Sequence, residues 1–190
     1  MLPMRGDDID TDRILPARYL RAVTFTGIEA YLFEDERRDI SPEGRSHPFA
    51  DPRFNSARVL VVGRNFACGS SREHAPQAIQ RRGVGVVLGE SFSEIFFGNS
   101  VAIGMPCLRM SSEAIAKLMQ LAEEDPTLVA DVDIAGLKVR ARGGFTFDAT
   151  MPAAAQEAFI TGSWDATGLL LEGLEQTRQV AARLPYVSGF

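Results

Sequence analysis

Residues Asn65 to Ala75, NFACGSSREHA, gather small residues, two serines, an arginine, a glutamate and a histidine in one short stretch. These types can bind an anion or hold a reactive oxygen. Upstream, Arg58 to Gly63 (RVLVVG) is a β-branched apolar run; downstream, Arg72 to Arg82 (REHAPQAIQRR) contains helix formers. The stretch therefore reads as a strand-to-helix turn. At such a turn the first helical N–H groups have no intrahelical partner, and the helix dipole favours negative charge. Gly69 lets the backbone approach a ligand, Ser70 and Ser71 fall at the expected helix start, and Arg72 adds a guanidinium. A carboxylate, a phosphate or an alkoxide suits this turn. A structural role suits it equally, because Ser70 with Glu73 three residues later is a capping box.

Three chemistries can be written on these residues. A serine hydrolase built from Ser70 and His74 would need the histidine to turn back toward the helix start, since residues four apart stack on one helical face. The nucleophile turn G-x-S-x-G is also absent from the sequence. Cys68 as a nucleophile needs a base, and the only histidines are His47 and His74, with no cysteine-hydrolase signature around them. The third chemistry makes a serine oxygen the base itself, held as an alkoxide by Arg72 and backbone amides. A serine hydroxyl ionises near neutrality only inside such a positive nest.

The run closely resembles the signature of the aconitase superfamily swivel domain, in the form found in 3-isopropylmalate dehydratase small subunits. Asp7 to Leu20 (DDIDTDRILPARYL) resembles that family's DTD-x-I-x-P segment, and Gly89 to Pro106 (GESFSEIFFGNSVAIGMP) and Phe159 to Leu170 (FITGSWDATGLL) resemble its later blocks. Order and spacing agree over nearly the whole chain. The resemblance implies an α/β fold, a swivelling β/β/α domain with a mixed barrel-like sheet. It implies Ser70 and Asp12 as catalytic residues, with Ser70 the base that takes a proton from carbon next to a carboxylate. Ser71 and Arg72 are then expected to bind that carboxylate, and Arg21 to bind or select the substrate, though Arg21 also reads as a solvated surface arginine. Cys68, Gly69, Glu73 and His74 are expected around the site, orienting the loop or meeting a partner. Two departures stand out: relatives carry glycine where Ala67 stands, and they carry a longer N-terminal segment that forms an edge strand.

Composition narrows the class. A chain of 190 residues with 45% hydrophobic content suits one domain over residues 1–190, and a net charge of -5 without a basic stripe argues against a nucleic-acid surface. The apolar runs are too short to span a bilayer and MLPMRGDDID lacks the apolar core of a secretion signal, so no membrane association and a cytoplasmic location are expected. Cys68 and Cys107 give no disulfide framework and too few thiolates for an iron–sulfur cluster. The sequence also lacks HExxH and any histidine pair with ligand spacing.

Elimination of water from a hydroxy acid needs a base for the C–H and a Lewis acid for the poor leaving group. The chain offers the base. The resemblance implies that a 4Fe-4S cluster sits on a separate large subunit, so the expectation is a small subunit that binds no cofactor and is active only with that partner. Self-association of the isolated chain stays open. The implied reaction interconverts 2-isopropylmalate and 3-isopropylmalate in leucine biosynthesis. Relatives acting on homoaconitate, citraconate or dimethylmaleate share the serine loop, and a non-catalytic anion-binding or assembly module is the alternative of another class.

Other elements must position these residues. Phe33 to Ser56, dense in charge, proline and glycine, reads as a long mobile loop, either a lid over the site or a surface insertion, with His47 solvated. Gly85 to Leu88 is an expected strand, and Ser91 to Glu94 opens a short helix. Ser111 to Asp125 carries Ile115, Leu118, Met119 and Ala122 on one helical stripe, expected as core. Asp131 to Ala149 reads as antiparallel strands around Gly136 and Arg142 to Gly144, followed by two helices, Pro152 to Ile160 and Asp165 to Arg183.

Overall fold

The computed structural model of the chain describes residues 1–21, 24–38, 46–69 and 72–187. At its centre a parallel sheet is hydrogen-bonded in the order β1 (Leu2–Met4), β2 (Val59–Val62), β3 (Val86–Gly89) and β4 (Cys107–Arg109). β1 is one edge of this sheet and β4 the other. In register, Leu60 lies between Leu2 and Val87, while Leu88 lies between Val61 and Leu108.

Successive strand side chains leave opposite faces. On one face Leu60, Val62, Val87 and Cys107 join Ala78 and Ile79 of α3 (His74–Arg81) and Phe96 of α4 (Glu94–Ala102). On the other, Val61, Leu88 and Leu108 join Ile115, Leu118, Met119 and Ala122 of α5 (Ser112–Glu124). Burial on both sides is why VLVV and VVLG read as unbroken apolar runs. The α5 stripe is core, as its spacing predicts, and the Ser111 hydroxyl caps the helix by accepting the Ala114 N–H at 3.2 Å.

A second, antiparallel sheet follows as a meander of β5 (Ala130–Asp133), β6 (Lys138–Ala141) and β7 (Phe145–Asp148). Val139 and Ala141 pack into the cluster on the α5 side. Among the described residues the two sheets do not close into a barrel. They meet at one antiparallel bridge, where the Arg109 and Thr150 N–H groups each donate to the other's carbonyl at 2.8 Å. The expected mixed α/β swivel-type architecture stands, with its sheets open among the described residues.

Two expectations are corrected. After α6 (Ala153–Thr161), the single helix expected over 165–183 is two, α7 (Ala166–Glu172) and α8 (Leu174–Ala181), divided at Gly173, a residue that weakens helix interiors. The flanks of the expected loop at 33–56 are packed: Phe33, Phe49 and Phe54 are buried, α2 (Glu34–Arg38) follows Phe33, and a 3-10 turn spans Pro52–Phe54. His47 is not solvated. Its side chain is 9% exposed, with ring centroids 4.9 Å from Phe33 and 5.9 Å from Phe49. Residues 39–45, the part of the expected lid farthest from these anchors in the chain, lie outside the described residues.

Candidate functional site

The carboxyl ends of β1, β2 and β3 lie side by side, and the segments leaving them are tied to one another. From β1, the Asp8 N–H donates to the Arg64 carbonyl at 3.0 Å, and the Arg64 N–H donates to the Asp7 carboxylate at 2.9 Å. Farther on, the Ala67 N–H donates to the Ile9 carbonyl at 2.7 Å and the Thr11 N–H to the Cys68 carbonyl at 2.9 Å. From β3, the Phe66 N–H donates to the Ser91 carbonyl at 3.0 Å, and the Asn65 N–H to the Ser91 hydroxyl at 2.7 Å. The Ser93 hydroxyl donates to the Ala67 carbonyl at 2.6 Å. Residues 64–68 are therefore clamped between two neighbours at the carboxyl edge of the parallel sheet.

That clamp demands unusual backbone. Asn65 and Ala67 hold φ of 53° and 59°, and Gly69 holds 89°. An L-residue with a Cβ pays steric strain of about 1 kcal/mol there, which glycine avoids. Ala67, with a Cβ at this left-handed φ, therefore carries strain as well as stiffness. At Gly63 the limit is space: a Cβ would lie 2.5 Å from the Asp7 Oδ1 and 2.6 Å from the Gly6 carbonyl oxygen.

The helix after the loop starts later than its composition suggests. α3 begins at His74, with Glu73 at the N-cap and no side-chain cap bond. Glu73 instead accepts from the Gln77 side chain at 2.9 Å. Glu73 therefore does not take the third helical position that the expected capping box requires of it, and Ser70, the other member of that box, lies outside the described residues. Pro76 gives the reason: lacking an N–H, it fits the first turn of a helix that starts at His74 but would break one capped at Ser70.

Ser70 and Ser71, the expected base and its neighbour, lie outside the described residues. Their flanks converge with the DTD segment. Asp12 sits on α1 (Thr11–Ile14), whose start is capped by Asp10 accepting the Arg13 N–H at 2.8 Å. Asp12 and Arg72 line one small cleft together with Thr11, Leu15, Leu20 and Ala75. Both are exposed, and among the described residues neither takes part in an ion pair. Arg21 closes the 3-10 turn Ala17–Arg21 and is exposed; of that run, Leu20 is the residue in the cleft.

The remaining loop residues take supporting places. The His74 ring meets Phe25 edge-on at 5.1 Å, and its Nδ1 is buried with no hydrogen-bond partner among the described residues. Burial, followed by the Asp10 and Asp8 carboxylates, pushes the Cys68 thiol up, which disfavours the thiolate that cysteine nucleophilic chemistry requires. Cys107 is fully buried and its thiol is pushed up to about 12. Among the described residues no three His, Cys, Asp or Glu side chains converge on a metal position. No helix there is long and apolar enough to cross a membrane.

The scaffold residues Asp7, Asp8, Asn65 and Ser91 escaped the sequence reading as site builders, and Ser93 was legible only as a helix opener. So did a link from α1 to α2, in which the Arg13 Nε meets Glu36 at 2.5 Å and the other Glu36 oxygen lies 3.5 Å from the His47 Nε2. The doubled acids of DDIDTD were the available signal.

A family model described as the aconitase C-terminal domain matches residues 3–113. Over 185 residues the chain is 48% identical to a 3-isopropylmalate dehydratase small subunit of Thermus thermophilus, covering 97% of this chain and 92% of the relative. It is 45% identical to that of a Synechocystis species, covering 98% and 91%. A solved structure of 3-isopropylmalate dehydratase (leuD) from Methanocaldococcus jannaschii, 23% identical, covers 93% of this chain and 95% of its own, with a TM-score of 0.67, and so shares the fold. With the aconitase-type domain, the curated relatives and the solved fold all in agreement, the chain belongs to the family of 3-isopropylmalate dehydratase small subunits.

Proposed function

We propose that residues 1–190 form one swivel domain, the small subunit of a cytoplasmic hydro-lyase that interconverts 2-isopropylmalate and 3-isopropylmalate by dehydration and rehydration in leucine biosynthesis. The observation that carries the reading is the convergence of Asp12 and Arg72, neither ion-paired among the described residues, on one cleft at the carboxyl edge of the parallel sheet. The near full-length kinship with curated small subunits supports it.

On this reading Arg72 and Ser71 bind the substrate carboxylate, where a planar guanidinium offers two parallel donors. Ser70 takes the proton from the carbon next to that carboxylate in dehydration and returns it in rehydration. Asp12, across the cleft, orients the substrate, and Arg21 with its neighbours reads the variable substituent. The two thiols of this chain do not suit a cluster, so withdrawal of the hydroxyl belongs to the large subunit and its 4Fe-4S centre. The base and its carboxylate anchor are this chain's share.

Anaerobic mixing with the cognate large subunit, cluster reconstitution and turnover assays on isopropylmalate, citraconate and homoaconitate test the proposal. Isopropylmalate should be preferred, and inactivity on all three would overturn the hydro-lyase reading. Ser70→Ala should lower turnover by about a thousandfold with assembly intact. Preserved turnover would remove Ser70 as the base.

A further inference from the structure

The 3-10 turn Ala17–Arg21 contains no buried residue, yet it brings Leu20 to the wall of the cleft shared by Asp12 and Arg72. The hydrogen bonds of a 3-10 turn are poorly aligned, so contacts from outside must hold it. Three residues make one turn, and Arg18, Tyr19 and Leu20 therefore leave it on three sides. The first two sides are tethered. The Arg18 guanidinium donates to both oxygens of Asp35, at 3.0 Å and 2.6 Å, and its carbon lies 4.9 Å from the Tyr19 ring centroid. The Tyr19 ring stacks on Tyr31 with centroids 3.9 Å apart.

Both tethered side chains also end on Glu34, the first residue of α2. Its Oε2 accepts the Arg18 Nη2 at 2.7 Å and the Tyr19 hydroxyl, while its Oε1 accepts the Arg38 Nη2 at 2.5 Å. The Glu34 side chain is 15% exposed, against 62% for Asp35. Hydrogen bonds to a sheltered carboxylate are strong and ion pairs in solvent contribute little, so Glu34 is the main support. The backbone sets it in place. Phe33 is buried at a φ of 51°, costly for an aromatic residue, and its N–H donates to the Ile14 carbonyl at the end of α1 at 2.8 Å. That tie of α1 to α2 runs through the Phe33 backbone, and a second through Arg13 and Glu36, so neither depends on the Glu34 side chain.

We propose that Glu34 is a positioning residue for substrate selection: with Tyr19 it fixes the turn so that Leu20 stands in the cleft against the apolar substituent of the substrate. The inference rests on the hydro-lyase reading, in which Ser71 and Arg72 hold the common carboxylate and Arg21 with its neighbours meets the variable group. Loss of the support swings Leu20 away while α1 and the clamped loop before Arg72 keep their own anchors. A branched substituent is then bound less well than before, and a methyl group loses less.

Steady-state kinetics of the enzyme reconstituted with its large subunit, on isopropylmalate and citraconate, test this. Glu34→Ala should raise KM for isopropylmalate about tenfold, with kcat within about threefold of wild type. The ratio of kcat/KM for isopropylmalate to that for citraconate should fall about tenfold. Tyr19→Phe removes one hydroxyl, keeps the stack, and should lower the ratio about threefold. The double variant should match Glu34→Ala, because both changes remove the same bond. Glu34→Gln, which keeps an acceptor for the tyrosine, should lie closer to wild type than Glu34→Ala. An unchanged ratio in Glu34→Ala, or a double variant whose losses multiply, overturns the proposal. So does an equal fall of kcat on both substrates at unchanged KM, the mark of a general loosening. Should Glu34→Ala fail to assemble, Tyr19→Phe decides, and an unchanged ratio there overturns the proposal. A wild type inactive on both substrates removes the hydro-lyase reading and this inference with it, whereas an active wild type with variants of unaltered preference removes the inference alone.

Discussion

Removal of one hydroxyl, by Ser93→Ala, tests whether the strand-end clamp is what holds the site loop in place. The Ser93 Oγ makes two bonds: it accepts the Phe96 N–H at 3.3 Å as the cap of α4 and donates to the Ala67 carbonyl at 2.6 Å. Loss of a serine cap costs about 1 kcal/mol. Ala67 is fully buried, so its carbonyl would be left without this donor, at about 1–3 kcal/mol. The sum is about 2–4 kcal/mol, large for a half-exposed serine and well above the effect of an ordinary surface change. Urea unfolding of the isolated chain should show a lowered midpoint at an unchanged slope. In the reconstituted enzyme, turnover should fall as well, because the carbonyl of Ala67 anchors the loop that leads to Arg72. Ser93→Thr, which keeps the hydroxyl, should recover most of both losses. A Ser93→Ala loss below about 0.5 kcal/mol, within the range of surface substitutions, would refute the clamp as the element that positions the loop.

Other perturbations separate the contributions of space, charge and chemistry. Gly63→Ala forces a methyl against Asp7 and Gly6, and should destabilise by about 1–3 kcal/mol in thermal unfolding; an unchanged melting temperature would mean that the β1 exit is not tight. Arg72→Lys keeps the charge but loses the planar fork, so kcat/KM should fall by about tenfold to a hundredfold, and an undiminished value would show that no carboxylate is gripped there. Burial in the phenylalanine cage holds the His47 pKa below 6.5, against the pull of Glu36, so the unfolded chain binds this proton first as the pH falls. Stability should therefore be full above about pH 6.5 and decline below it, through the folded-state pKa. His47→Gln should flatten that decline above the range where carboxylates titrate, and urea midpoints equally pH-dependent in the variant and the wild type would contradict the burial of His47.

Where burial follows a simple period, the sequence was readable. β2 and β3 are apolar on both faces because the sheet is covered on both, and α5 shows its stripe because only one side meets the sheet. Legibility failed where a single residue overrides its neighbours. Pro76 moves the start of α3 to His74, although every other residue from Arg72 on tolerates a helix. Gly173 divides α7 from α8 in the same way. His47 looked solvated because acids and arginines surround it in the chain, and its burial follows from Phe33 and Phe49, whose rings pack against it from within that polar segment. A charge-rich stretch interrupted by buried phenylalanines is an anchored segment, whatever its average polarity.

The site itself is a consequence of strand register. Met4 pairs with Val62, and Val62 with Gly89, so the three exits are aligned before any polar side chain acts. From that start Asp8 meets Arg64, Ile9 meets Ala67, Thr11 meets Cys68 and Ser91 meets Phe66. Asp12 and Arg72 reach the same cleft because each follows its exit by a comparable length of chain. A slip of β2 by one residue would turn Val62 toward α5 and Val61 toward α3, and it would also break every one of those loop contacts. The core thus specifies the site: the alternation of Leu60, Val61 and Val62 between two packed faces forbids the slip. Neither polar motif can report this alone. DTD marks one exit and SSR another, and only the apolar residues between them carry the information that the two exits are neighbours.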